Sequence, residues 1–320
     1  MPASRGRRER SWPMVHRNDT QWDPVSLFSG EHPDPPVEGL LVTGHGTANA
    51  RGAAETEAVA RLVAEALPRL AVELAYLEVI TPSIADGLER LRERGCRRVV
   101  VAPLLLFEAG HARRDLPAAV AEAAERLGMQ TCQAAPLGDH PAILELARRR
   151  RHEAIAAAGW TEEGALVPAT VLFVGRGSSE PDAAARVAGF ARASVGCPRS
   201  AEHVGATAGG GLCQTTCMGP CEPPCEGPVI TAFVAAARPS LEEGIAAAMA
   251  AGRRRVIVQP HLLFRGRVED QVARSVAAAR EADRQIAWAV AARLGPDAAV
   301  ARGLITRAAE AVAAANPAIW

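Results

Sequence analysis

A chain of 320 residues is long enough for two domains of ordinary size, each able to bury its own core. Its 36 basic and 36 acidic residues cancel, so there is no bulk charge to hold a nucleic acid, and no apolar run reaches the length of a membrane span. Every basic side chain is arginine, which excludes a Schiff-base lysine and a phosphate-loop lysine.

Residues 1–36 carry Arg5, Arg7, Arg8, Arg10 and Arg17 among several prolines, without hydrophobic periodicity, and read as a disordered basic arm. Arg7-Arg8 lacks the apolar stretch of an export signal, so a cytosolic protein is expected, with its seven cysteines reduced or bound to something. Gly39 to Thr43 is a short apolar run ending in Gly44-His45-Gly46, a buried strand before a tight turn. Apolar positions at helical spacing give a helix over 55–67, with Glu55 and Glu57 as favourable charges near its start. A second strand is expected over 72–80, with Glu78 late in it. Pro82-Ser83 opens the next helix, with proline at its first position, and Gly95 ends it. Residues 98–106 form a nearly all-apolar third strand, as in a parallel sheet covered on both faces. A helix over 115–127, a strand over 129–134 and a closing helix over 141–158 complete the first half.

The second half repeats this pattern. Strands are expected over 169–174, 229–235, 254–263 and 285–291, and helices over 182–194, 239–251, 268–283 and 297–315. Short strands alternating with amphipathic helices predict an α/β architecture of two similar doubly wound parallel-sheet lobes, flavodoxin-like, from an internal duplication. The first lobe spans 37–160 and the second 161–320. One stretch of the second copy, about 196–227, has no counterpart in the first. It is rich in Gly, Pro and Cys and reads as an insertion.

The two copies differ where chemistry is expected. His45 aligns with Arg176, and His111 aligns with Arg267. In doubly wound folds ligands bind beyond the carboxyl ends of the strands. His45, Glu78 and His111 all fall at that edge of the first sheet. Two neutral imidazoles and a carboxylate suit a divalent first-row metal, and an imidazole released from the metal serves as a base. His261 is placed inside the third strand of the second copy, as a satisfied core histidine. Cys213, Cys217, Cys221 and Cys225 recur every four residues among prolines that argue against a helix. Four thiolates in a loop suit an iron–sulfur cluster or a structural zinc, with unligated thiols as the other reading. Cys96, Cys132 and Cys197 read as packing or loop residues.

The Gly-His-Gly turn, the Leu77-Glu78-x-x-x-Pro82-Ser83 segment and the Pro103-x-x-Leu-x-x-x-Gly110-His111-x-x-x-Asp115 segment resemble the class II chelatases of the CbiX/SirB family. The likeness covers about 37–145 closely and 169–295 as a degenerate copy, in the double-length form. It implies a sirohydrochlorin cobaltochelatase that needs no ATP and works in cobalamin biosynthesis. Ferrochelatase (siroheme) and nickel chelatase activities are the alternatives. The resemblance puts metal capture and proton removal on His45 and His111, with Glu78 assisting. Co²⁺ is the expected substrate metal, with Fe²⁺ or Ni²⁺ as alternatives. Arg113, Arg114, Arg176 and Arg267 are candidates to pair with the carboxylates of the tetrapyrrole. The family usually reads His-Gly-Ser-Arg at the first motif; this chain reads His45-Gly46-Thr47-Ala48, with Arg51 further on. A monomer with pseudo-dimeric internal symmetry is expected. The reading of another class is a non-catalytic metal or tetrapyrrole carrier whose cysteine loop senses redox state.

Overall fold

The computed structural model describes residues 28, 37–107, 112–162, 165–166, 169–180, 182–195 and 228–315. Phe28, the one described residue of the expected basic arm, is buried in the core with Leu40 and Val42; the rest of the arm, His111, and the insertion with its four-cysteine run lie outside these residues.

The first repeat runs β1 (Gly39–Gly44), α1 (Ala50–Ala66), β2 (Ala71–Tyr76), α2 (Ile84–Glu93), β3 (Arg98–Pro103), α3 (Ala112–Leu127), β4 (Gln130–Gln133) and α4 (Pro141–Ala157). A two-stranded hairpin, β5 (Thr161–Glu162) with β6 (Ala165–Leu166), occupies the seam. The second repeat runs β7 (Thr170–Gly175), α5 (Ala183–Val195), β8 (Val229–Phe233), α6 (Leu241–Ala250), β9 (Arg255–Pro260), α7 (Arg267–Ala282), β10 (Ala287–Val290) and α8 (Ala298–Ala314). The two sheets are parallel and share one topology, β2-β1-β3-β4 and β8-β7-β9-β10. β1 and β7 are buried along their whole length because helices cover both faces.

The element order follows the sequence expectation, and the differences have local causes. α1 starts at Ala50 rather than 55, because the Asn49 side chain accepts from the Gly52 amide and caps the helix there. At Gly52, within that first turn, the second repeat approaches the helix closely: a Cβ there would sit 2.6 Å from the Arg265 carbonyl oxygen. β2 ends at Tyr76, so Glu78 lies in the bend beyond the strand. Ser83, not Pro82, opens α2; it caps the helix in a box with Asp86, and Pro82 precedes the cap. Ser240 and Glu243 repeat that box at α6.

The closing helices are exchanged. α8 packs on β3, β4 and α1, so the last helix of the second repeat covers the sheet of the first. Val300, Leu304 and Ile305 join Leu40, Val42, Val100 and Ala102 in one core. α4 runs the other way, onto β9, β10 and α5. Its Ile155 packs with Ile257 and Ala289 of the second sheet. Arg151 of α4, fully buried, donates to Gln259 Oε1 on β9 and to the Ser194 carbonyl at the end of α5, each at 2.8 Å. Val300, Leu304, Ile305 and Val312 alone represent roughly 8 kcal/mol of gross apolar transfer on the first sheet. No helix of the described residues is long and apolar enough to cross a membrane.

Candidate active site

In each repeat the chain order reverses between the first and third strands, and the crevice beyond their carboxyl ends is where such folds bind ligands. Here the two crevices open into one cavity of about 330 Å³ between the lobes. His45, Gly46 and the Leu104–Phe107 segment wall it from the first repeat. Arg176, Gly177, Phe233 and the His261–Arg265 segment wall it from the second.

His45 directly follows β1. Its Nε2 lies 3.3 Å from Glu78 Oε1, and both side chains are solvent-accessible. The backbone holds the pair together, since the Glu78 amide donates to the His45 carbonyl at 3.0 Å. Gly46 makes that approach feasible. It sits at φ 98°, and a Cβ there would come within 1.8 Å of the Glu78 carbonyl oxygen, so only glycine fits the turn. Val79, beside Glu78, is held at φ 74° and is 61% exposed, an unfavoured backbone for a β-branched residue at the lip of the site. The His45 Nδ1 is buried and has no hydrogen-bond partner among the described residues.

The second repeat preserves this scaffold and loses its chemistry. The Ala235 amide donates to the Arg176 carbonyl at 2.9 Å, just as Glu78 does to His45. Gly177, at φ 90°, would place a Cβ 1.7 Å from the Ala235 carbonyl oxygen. The main-chain register therefore equates His45 with Arg176 and Glu78 with Ala235. Both members of the imidazole–carboxylate pair are replaced together. Arg176 is exposed and reaches the cavity wall.

His111 lies outside the described residues, as do Cys213, Cys217, Cys221 and Cys225. Arg113 and Arg114 are exposed on the first turn of α3, and Arg267 is the exposed first residue of α7; none of the three lines the cavity. Arg51 is exposed on the first turn of α1.

Two placements correct the sequence reading. His261 is not inside a strand but follows β9, where its amide donates to the Val174 carbonyl at 2.7 Å as Leu104 donates to Thr43. It is 5% exposed and its Nε2 has no partner among the described residues, so it does not stand as a satisfied core histidine. Glu55 does more than favour a helix start. It accepts from the Arg265 amide at 2.8 Å and from the Arg293 guanidinium, tying α1 to two loops of the second repeat. Burial raises the Glu55 pKa, but hydrogen bonds and charge from Arg293 and Arg265 outweigh it and hold the carboxyl below the usual range. The same Arg293 reaches Glu269 at 2.8 Å. The aligned segments Pro103-Leu104-Leu105-Leu106-Phe107 and Pro260-His261-Leu262-Leu263-Phe264 already carried the signal for His261: one imidazole where its twin is leucine. Nothing local marked Arg293, which meets Glu55 only through the exchange of helices.

Among the described residues neither buried Cys96 nor partly buried Cys132 lines the cavity. Cys132 has its thiol pushed up to about 12 by burial, which leaves it protonated and unreactive.

The sequence matches the CbiX family over residues 39–154 and 222–311. A sirohydrochlorin cobaltochelatase of Priestia megaterium is 26% identical over 241 residues, covering 74% of this chain and 69% of that protein. A sirohydrochlorin ferrochelatase of the same organism is 27% identical over 237 residues, covering 74% and 77%. Among solved structures, SirB from Bacillus subtilis with Fe³⁺ superposes with a TM-score of 0.66 at 22% identity, over 86% of this chain and 95% of that one. At that identity the superposition speaks for the fold.

Proposed function

The chain belongs to the CbiX family, and from that premise we propose that it is a sirohydrochlorin chelatase that inserts Co²⁺, acting as a monomer in the cytosol. Relatives of both cobalt and iron specificity support the chelatase reading. The observation that carries it is the His45–Glu78 pair at the mouth of an inter-lobe cavity, with both members replaced in the duplicate.

The reaction exchanges two inner pyrrole protons of the macrocycle for one divalent cation. His45 Nε2 offers a lone pair to the incoming metal, and imidazole with carboxylate accepts Co²⁺, Fe²⁺ or Ni²⁺. When the metal passes to the macrocycle, the freed imidazole takes a pyrrole proton, and Glu78 at 3.3 Å stabilises the imidazolium. His111 would supply the second imidazole. The leucine and phenylalanine side chains of both walls suit the flat faces of a tetrapyrrole. Arg176, in the position of His45, would pair with its peripheral carboxylates from the second lobe.

Anaerobic incubation with sirohydrochlorin and Co²⁺, followed by absorbance, tests this reading. Conversion well above the spontaneous rate, abolished in His45→Ala, is the expected result. Conversion at the spontaneous rate would overturn it. Parallel reactions with Fe²⁺ and Ni²⁺ decide the metal.

A further inference from the structure

His261 occupies the position that Leu104 holds in the first repeat, with the same backbone hydrogen bond into the preceding sheet. The scaffold thus accepts a leucine there. The second repeat instead places an imidazole among three aromatic rings. Phe190 lies 4.3 Å away between centroids, Phe173 5.2 Å, and Phe107 of the first repeat 5.5 Å. Its Nε2 is buried without a partner among the described residues. A buried polar atom left unsatisfied costs stability that a leucine would not. The ring also forms part of the cavity wall, across from the repeat that carries His45.

We propose that His261 is a substrate-binding residue: its ring nitrogen hydrogen-bonds an inner pyrrole nitrogen of the tetrapyrrole held in the cavity, from the lobe opposite His45. This rests on the reading of the cavity as the tetrapyrrole site. The rest of the wall near His261 is apolar, with Leu262, Leu263 and Phe264 following it and Phe107 facing it. A flat macrocycle pressed between such walls buries its polar centre, which then needs a partner from the protein. The His261 ring packs against Phe107, Phe173 and Phe190 with Nε2 buried. Rotation of the imidazole about its Cβ–Cγ bond turns a nitrogen toward the space that the ring already borders.

Burial alone pushes the His261 imidazole down to about 3. It is therefore uncharged near neutral pH and does not repel a divalent cation. Its contribution is orientation of the metal-free ring.

The test compares binding of metal-free sirohydrochlorin, without added metal, to wild-type protein, His261→Leu and His261→Gln. His261→Leu copies the first repeat and is expected to melt at or above the wild-type temperature while its Kd rises about tenfold, the loss of one hydrogen bond. His261→Gln, which returns a polar nitrogen near Nε2, recovers part of that affinity. In the wild-type protein, addition of the macrocycle moves the ¹⁵N resonances of the His261 ring, a readout independent of any variant's folding. A His261→Leu variant with wild-type Kd, or unmoved ring resonances on binding, overturns the inference and leaves the chelatase reading intact. Absence of wild-type binding overturns both, and the His45→Ala turnover assay identifies that case separately.

Discussion

Arg151 on the closing helix of the first repeat and Gln259 on the central strand of the second meet at 2.8 Å, both out of contact with solvent. Gln259 in turn donates to the Ala147 carbonyl at 2.7 Å. A helix is thereby anchored by polar contacts inside the other repeat's sheet. Gln259→Leu removes the acceptor of a buried guanidinium N–H and the side-chain donor that the helical Ala147 carbonyl also receives. The expected loss is about 2–4 kcal/mol of unfolding free energy, measured by urea denaturation. A loss below about 0.5 kcal/mol would show that water or another acceptor replaces the amide.

The helix exchange bears on the isolated first repeat. Residues 37–160 retain their sheet but lack α8, whose Val300, Leu304 and Ile305 close the core over Leu40, Val42 and Val100. Without it an apolar sheet face is exposed, while α4 has no second sheet to cover. The fragment is expected to self-associate, each copy's α4 covering the other's sheet in the manner of the full chain. Light scattering after size exclusion checks this. A well-folded monomeric fragment would contradict the assigned packing.

Gly46 and Gly177 form a matched pair. Alanine at either position meets a carbonyl oxygen below 2 Å and a positive φ. Both variants should lose about 1–3 kcal/mol of stability as the turn rearranges. Only Gly46→Ala should also lose metal turnover beyond that expected from the unfolded fraction, because its turn carries His45 against Glu78. Equal turnover in the two variants would count against the placement of chemistry in the first repeat.

The Glu55 ion pair gives a pH dependence of known sign. Its folded pKa lies below the ordinary glutamate value of 4.5, so the ionised form is the one stabilised. That stability is present in full above the unfolded value and is lost as the pH falls through the lower folded value. Glu55→Gln should cost about 1–2 kcal/mol at neutral pH, with the difference from wild type shrinking in acid. Unfolding curves collected from pH 7 to pH 3 test the trend; a gap that stays constant in acid would rule out the charge as its source.

Arg176 is exposed on the cavity wall in the place that His45 holds in the first repeat. Arg176→Ala is expected to raise KM for sirohydrochlorin about five- to twenty-fold with kcat little changed, as for a group that binds substrate and transition state alike. Steady-state kinetics at saturating metal measure the split. A fall in kcat with constant KM would instead place Arg176 in the chemical step.

The duplication and the loss of His45 in the second copy could be read from the chain because matched strand ends leave matched motifs. The Glu78–Ala235 equivalence is carried both by the matched Pro82-Ser83 and Pro239-Ser240 segments four residues further on and by the matched backbone hydrogen bonds. His261 was misplaced by the length of the apolar run 254–263, which continues past the strand end at Pro260. Hydrophobicity reports burial, and the wall of an apolar cavity is as buried as a strand.

The order of strands and helices, the repeat, and the strand-end position of His45 follow from local chemistry: turn residues, caps and apolar periodicity act over a few neighbours. Which sheet each closing helix covers does not, because α4 and α8 present apolar faces that fit either sheet. That choice is made by contacts between residues more than a hundred positions apart, such as Arg151 with Gln259 and Glu55 with Arg293. Only the folded chain brings those partners together, and with them the two walls of the cavity.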